Sequence, residues 1–192
     1  MSSSGPVAFS CNCGTVSGHI APTARRSGTH LICHCRDCQA AERYLGQQDP
    51  SGTGVDLFQT TPDTITLDTG ADRLAVLRLG PKGPLRWYAD CCKAPLFNTL
   101  ARPGIPFATV LVARIADPAP LGPVIAHGFV PQAGGPPKHR GAGVMVWRFF
   151  TRMGAARLSG RWRQTPFFDL DTGEPTAPVH QLTREERAAL YD

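Results

Sequence analysis

No apolar run in this 192-residue chain approaches the ~20 residues that a membrane-spanning helix needs, which excludes a spanning helix. The N-terminal stretch "MSSSGPVAFSCNC" has no basic segment followed by an apolar one, so we expect no signal peptide and a cytoplasmic protein. Charge is sparse, at 18% of residues against 42% hydrophobic, a balance that excludes a disordered chain. Acid is missing altogether from Pro118 to Phe168, a stretch that carries Lys138, Arg140, Arg148, Arg152, Arg157, Arg161 and Arg163. Such a block attracts anionic ligands, nucleic acid or a membrane surface, but a solvated face neutralised by acids elsewhere in the fold is the favoured reading.

What is present favours short elements. Gly (20) and Pro (18) are abundant, which suits short strands and turns better than long helices. The length allows one domain with a substantial core, or one domain plus an extension. "VAFSCNC" and "VSGHIAP" read as extended segments joined at Gly14, and "THLIC" as a strand leading into a cysteine cluster. "QAAERYLG" is rich in helix formers and predicts one or two helical turns. "TITLD", "RLAVLRL", "LRWYA" and "PFATVLVARI" are strand-like, with "GPKG" turning the second into the third as a hairpin. Residues 116–143 read as loop-rich, and "VMVWRFFTRMGAARL" as a helix with Met145, Phe149, Met153 and Ala156 on one face and Arg148 and Arg152 on another. A last helix starts in "QLTREERAALYD", where Thr183 and Glu186 are spaced for a capping box. The fold class is therefore mainly β with added helices (α+β). We divide the chain into residues 1–115, the domain that holds all seven cysteines, and residues 116–192, a loop-rich C-terminal extension with two helices packed on that domain.

Seven cysteines are an odd number, in a chain that is not small and shows no export signal, so Cys-x-Cys and Cys-x-x-Cys spacings point to metal rather than disulfides. They fall into three groups: Cys11 and Cys13; Cys33, Cys35 and Cys38; Cys91 and Cys92. Zinc takes about four ligands in a tetrahedron. In Cys-x-Cys on extended backbone both side chains point to one face, and in Cys-x-x-Cys a turn brings the thiols together. Seven thiols divide naturally as four plus three. Cys11, Cys13, Cys91 and Cys92 would close a structural site, and Cys33, Cys35 and Cys38 would hold an ion with one position free. Cys91 and Cys92 are the irregular pair, because neighbours on a strand face opposite ways. If one is a free buried thiol, a three-plus-three split or a single site follows, so the cofactor is Zn2+ at one or two per chain. Iron–sulfur clusters also use four thiolates but rank below zinc here. His34 sits between ligands and would point away from the ion. Asp37 reads as a loop acid accepting backbone N–H bonds. His19, His30, His127, His139 and His180 read as surface or core histidines, His30 being nearest the cluster in sequence.

The order Cys-x-Cys-Gly, Cys-His-Cys-x-x-Cys-Gln and a cysteine motif before Pro-Leu-Phe resembles the glutathione-dependent formaldehyde-activating enzyme and centromere protein V superfamily. The matching residues are "CNCGTVSG" (Cys11 to Gly18), "CHCRDCQ" (Cys33 to Gln39) and "CCKAPLFN" (Cys91 to Asn98), within roughly residues 7–115. The resemblance implies a β-tent-like fold of short antiparallel strands stabilised by a structural zinc. In catalytic members it implies a second, reactive zinc on the Cys-His-Cys-x-x-Cys trio. The implied reaction joins glutathione and formaldehyde through a carbon–sulfur bond, a lyase class. The chain departs from the pattern at Ala89, where the first cysteine of the last motif should stand, with Cys91 as its substitute. It departs again at Lys93, where the pattern has Gly, and in the long stretch from Ala116 onward. It is similar to an uncharacterised branch of the superfamily.

Two functions follow. The first is a zinc-dependent carbon–sulfur lyase acting on a glutathione-like thiol adduct, with the trio binding a small thiol as thiolate and Arg36, Arg43 and Arg86 as candidates for holding its carboxylates. No general acid or base is identifiable, and the catalytic residues are unassigned. The alternative is a noncatalytic zinc-stabilised binding module with a basic, aromatic C-terminal surface, on which Trp147, Phe149, Phe150 and Trp162 stack on bases or fill a protein groove. The competing reading of those aromatics is plain core. Nucleic acid stays open as a partner, a membrane does not, and oligomeric state is left open.

Overall fold

The computed structural model describes residues 5–191. Residues 1–4, part of the stretch in which no signal peptide is expected, and Asp192 lie outside them. In chain order the elements are β1 (Val7–Ser10), β2 (Ser17–Ile20), α1 (Pro22–Ser27), β3 (Thr29–Cys33), α2 (Arg36–Tyr44), β4 (Val55–Thr60), β5 (Ile65–Thr69), β6 (Leu74–Arg78), β7 (Leu85–Ala89), β8 (Pro95–Thr99), β9 (Ala108–Leu111), β10 (Ala126–Gln132), β11 (Gly135–Arg140), α3 (Ala142–Leu158), β12 (Val179–Gln181) and α4 (Arg184–Ala189). Among the described residues the chain is mainly β with four helices, an α+β fold. A three-stranded sheet has the order β1-β2-β5, and a nine-stranded sheet the order β11-β10-β3-β4-β9-β8-β7-β6-β12. Most ladders are antiparallel. β10 beside β3 and β12 beside β6 are parallel.

The small sheet packs on one face of the large one. Val7, Phe9, Val16, Ile20 and Ile65 meet Phe58, Val76, Leu85, Trp87, Phe97 and Val110 in the main core, which Phe167 completes. Phe9 stands edge-on to Phe97 at 5.0 Å, and Trp87 lies 5.0 Å from Phe167. Burying four such rings dominates the energetics of a core this size. The indole N–H of Trp87 donates to Thr99 Oγ1 at 2.9 Å, so no polar atom of that ring is left unpaired.

The opposite face of the large sheet carries a polar row. Arg86 stands across from Asn98, Asn98 from Thr109, and Thr109 from Gln59, one residue from each of four neighbouring strands. Period-2 alternation places them all on the face away from Trp87 and Phe97. This row is the floor of the cavity described below.

Three expectations need correction. "PFATVLVARI" is a strand only over β9, and Val112–Arg114 turn into a short 3-10 segment. Residues 116–143 are not all loop. β10 and β11 form a hairpin there, turned at Gly134 in the left-handed region (φ 71°). β11 is exposed along its whole length and contains two prolines, so it shows no apolar alternation, as suits an edge strand. In α3, Arg148 and Arg152 share the inward face with Met145, Phe149, Met153 and Ala156. Arg148 donates to Gly28 O at 2.9 Å, and Arg152 to Ser27 O at 2.6 Å. Their forks satisfy carbonyls at the end of α1, a target that helical periodicity cannot reveal. The capping box of α4 forms in full, with Thr183 and Glu186 each bonding the other's backbone N–H.

Candidate metal centres

The loop between β1 and β2 folds back on itself. Cys11 N donates to Val16 O at 2.8 Å and Gly14 N to Cys11 O at 3.1 Å, with Gly14 in the left-handed region (φ 78°). Val16 N donates to Cys11 Sγ at 3.3 Å, and Cys13 Sγ lies 3.3 Å from Thr15 Oγ1. The turn from β7 to β8 supplies the other pair. Lys93 is left-handed (φ 56°), although it is not glycine, and its ammonium holds Asp90 at 2.6 Å. The backbone therefore keeps at Lys93 a conformation that glycine adopts most easily. This turn resolves the objection to adjacent cysteines, because off the strand both side chains converge.

Cys13 Sγ lies 3.3 Å from Cys91 and 3.5 Å from Cys11. Cys91 Sγ lies 4.0 Å from both Cys11 and Cys92. All four sulfurs fall within 4.8 Å of one another. A tetrahedron with Zn–S of about 2.3 Å separates its sulfurs by about 3.8 Å, so the spacing suits one ion. Hydrogen bonds, from Thr15 first and then from Cys91 and Cys11, pull the Cys13 thiol down to about 6. A thiol so lowered is readily deprotonated for a metal.

The second group is Cys33, Cys35 and Cys38, whose sulfurs also lie within 4.8 Å of one another. Cys33 ends β3. Cys35 caps α2, accepting the Cys38 N–H at 3.3 Å, and Cys38 lies in the first turn. The helix thus begins earlier than "QAAERYLG", and the trio is built around its N-terminus, where partial positive charge favours a thiolate. Gln39 locks the junction by donating to His34 O at 2.9 Å. Cys38 is held well below the usual thiol range by hydrogen bonds from Cys33 and Cys35 and by the Arg86 guanidinium, whose Nη1 lies 3.6 Å from its sulfur. Cys33 is raised by its hydrogen bonds to Cys35 and Cys38 and by burial.

The trio lines a cavity of about 270 Å3 on the outer face of the large sheet. Arg86, Asn98, Thr109 and Gln59 form its floor; Leu31, Leu57, Phe107 and Met145 supply apolar walls; Gly128, Phe129 and His139 of the β10–β11 hairpin border it. None of the four clustered thiols lines it. Phe129 is left-handed (φ 56°), and its N–H faces His139 Nδ1 at 3.4 Å.

His34 does point away from the trio and stacks on His127 at 6.1 Å. His30 is a satisfied core histidine between Gly122 O (2.7 Å) and Asp56 (2.8 Å). Asp37 is not a loop acid bonded to backbone. It lies in the first turn of α2 and accepts from the Tyr191 hydroxyl and from Arg187 at 3.4 Å. Of the three arginines expected near the site, only Arg86 lines the cavity. Arg36 stacks on Tyr191 at 4.5 Å, and Arg43 binds Asp49 and Leu190 O. Asn98 and His139 were missed. Asn98 closes the quoted "CCKAPLFN", but nothing local marks His139, which reaches the cavity only through the hairpin.

Two groups of cysteines in this chain could therefore hold metal ions. The chain belongs to a family of unknown function, DUF6151. The family's model matches residues 1–180, so the match takes in both cysteine groups and every element that lines the cavity. No curated protein matches the chain. Among solved structures it is similar to a Rhodobacter sphaeroides protein known from a crystal structure, at 20% identity over 61% of this chain and 96% of that one, with a TM-score of 0.41. Among the described residues, no helix is long and apolar enough to cross a membrane.

Proposed function

We propose that this is a zinc-dependent enzyme with two ions of different duty. Cys11, Cys13, Cys91 and Cys92 hold a structural ion, and Cys33, Cys35 and Cys38 hold a reactive one. The observation that carries this reading is the placement of the two groups. Three thiols line a cavity, a set that would leave one position of a tetrahedral ion open to it, whereas four thiols lie together away from it. The donor set is all thiolate, which suits zinc, and the sulfur spacings of the closed group support it.

At the trio, zinc would supply Lewis acidity that keeps a bound thiol deprotonated near neutral pH. The chain's own residues do the rest. Arg86 offsets the excess negative charge of three thiolates around one divalent ion. Leu31, Leu57, Phe107 and Met145 exclude water from the sulfur. The row beneath fixes the guanidinium. The chemistry that fits is addition of an intact thiol to a small carbonyl electrophile, or its reversal: a carbon–sulfur bond forms, the carbonyl π bond breaks and the thiol's proton ends on the carbonyl oxygen, a carbon–sulfur lyase reaction. The sequence resemblance to the formaldehyde-activating superfamily supports that class and a glutathione-like thiol. Metal analysis of the purified protein tests the arrangement. Two zinc ions per chain, falling to one in Cys33→Ser, is the expected result. A single ion that survives Cys33→Ser would remove the reactive site.

One observation favours a second reading, a binding module that uses the C-terminal surface. Trp147 is 71% and Phe150 63% exposed on the outer side of α3, with Leu158 93% exposed below them, so these side chains are not core. Arg148 and Arg152 are turned inward, which leaves Lys138 and Arg140 of β11 and the arginines that flank Trp162 as the basic part. Retention of single-stranded DNA that weakens with salt is the result this reading expects; failure to bind at any salt concentration removes its nucleic-acid form.

A further inference from the structure

Arg86 carries more hydrogen-bonding capacity than its neighbours use. It is 6% exposed, on a strand buried along its whole length. Nη1 donates to Asn98 Oδ1 at 3.1 Å and approaches Cys38 Sγ at 3.6 Å. Asn98 is fixed in turn by donating Nδ2 to Thr109 Oγ1 at 2.8 Å. Nε is buried without a partner, and among the described residues Nη2 makes no hydrogen bond. Nη2 is not sealed off as Nε is, and it belongs to a guanidinium that lines the cavity, so it is the donor a ligand can reach. Buried donors in folded proteins are nearly always paired, and a carboxylate is the acceptor that a guanidinium N–H bonds most strongly.

We propose that the ligand of the trio cavity is a short mercapto acid, whose thiol joins the trio's metal and whose carboxylate accepts from Nη2 of Arg86. This rests on the zinc reading of the trio. Spacing sets the length. Sulfurs around one zinc lie about 3.8 Å apart, Arg86 Nη1 lies 3.6 Å from Cys38 Sγ, and Nη2 shares its carbon with Nη1, so the thiol and the carboxylate lie within a few bonds of each other. Two or three bonds between the groups satisfy that. Size and charge agree. The cavity, about 270 Å3, is just below the usual ~300–1,000 Å3 range of ligand sites. Arg86 is its sole Lys or Arg among the described residues, and Asp37, its one carboxylate, is engaged by Tyr191 and Arg187. A tripeptide thiol with two acidic ends would find a cation for only one of them, so the cavity favours a shorter acid than the glutathione-like thiol that the sequence resemblance implies. On binding, the thiol proton leaves to solvent, and the carboxylate arrives already ionised.

Cobalt(II)-loaded protein, titrated with 3-mercaptopropionate, its methyl ester and 2-mercaptoethanol, tests this through sulfur-to-cobalt charge-transfer absorption. The acid should bind about 10- to 100-fold tighter than the ester or the alcohol, the range expected for hydrogen bonds to a charged group. In Arg86→Met that preference should vanish while 2-mercaptoethanol still binds, and Arg86→Lys should restore part of it. Equal binding of acid and ester to the wild-type protein overturns the mercapto-acid assignment without needing any variant to fold. Failure of every thiol to alter the cobalt spectrum overturns the open-trio reading beneath it.

Discussion

Replacing Cys13 by serine should cost the fold more than replacing Cys33. Cys13 and Cys91 are 78 residues apart in sequence, with sulfurs 3.3 Å apart, so an ion shared between them closes a long loop. Loop-closure entropy over that span stabilises by about 4.5 kcal/mol at 25 °C on the relation used for covalent cross-links. Cys33 and Cys38 are five residues apart, and the same relation yields about 2 kcal/mol for their shared ion. The gap of about 2.5 kcal/mol corresponds to roughly 5–10 °C in Tm for a chain of this length. Thermal unfolding of zinc-saturated Cys13→Ser and Cys33→Ser measures it, with urea midpoints as a check. Cys13→Ser should melt lower by that margin. Equal melting, or a lower Tm for Cys33→Ser, would refute the assignment of the structural clamp to the group that joins β1–β2 to the β7–β8 turn.

Glu42 offers a pH test. Burial raises its carboxyl to about 7 from an ordinary 4.5, with the Cys38 thiolate adding to the rise and Arg114 and Arg86 opposing it. The folded state keeps a proton that the unfolded state loses above 4.5, so stability falls as pH climbs from 4.5 to 7 and then levels off. Glu42→Gln should gain about 3 kcal/mol relative to wild type between pH 4.5 and pH 8, read from urea unfolding at both; a constant difference would contradict the burial argument. Arg152→Met should lose about 1–3 kcal/mol, because it leaves Ser27 O without its donor, and an unchanged urea midpoint would mean that this carbonyl is solvated instead. Trp147→Ser should leave Tm within a degree or two, since surface substitutions rarely exceed ±0.5 kcal/mol, whereas a large loss would show that the ring is packed.

The thiol groups were legible because ligand spacing is local. Cys-x-Cys on a turn and Cys-x-x-Cys at a helix start bring sulfurs together whatever the rest of the chain does. The β6–β7 hairpin and the capping box of α4 were legible for the same reason. What escaped reading is set by distant partners. Arg148 and Arg152 face inward because carbonyls at the end of α1 need donors, more than 100 residues earlier in the chain. The β10–β11 hairpin has no buried face on β11 and so no period-2 pattern. The cavity draws Arg86, Asn98, Thr109 and Gln59 from four strands, and only the strand register aligns them. At Lys93 the backbone is left-handed although the residue is lysine, a conformation that residue type does not announce.

Zinc K-edge X-ray absorption on the fully loaded protein tests the central claim, one closed site and one open site, most directly. Seven thiolates shared by two ions predict a sulfur shell at about 2.3 Å averaging three and a half per zinc, with half a lighter ligand at about 2.0–2.1 Å. In Cys33→Ser carrying one ion, the lighter shell should disappear and four sulfurs should remain. A lighter shell that persists in the one-ion variant, or a wild-type protein that takes up a single zinc ion with four sulfurs, would contradict the claim.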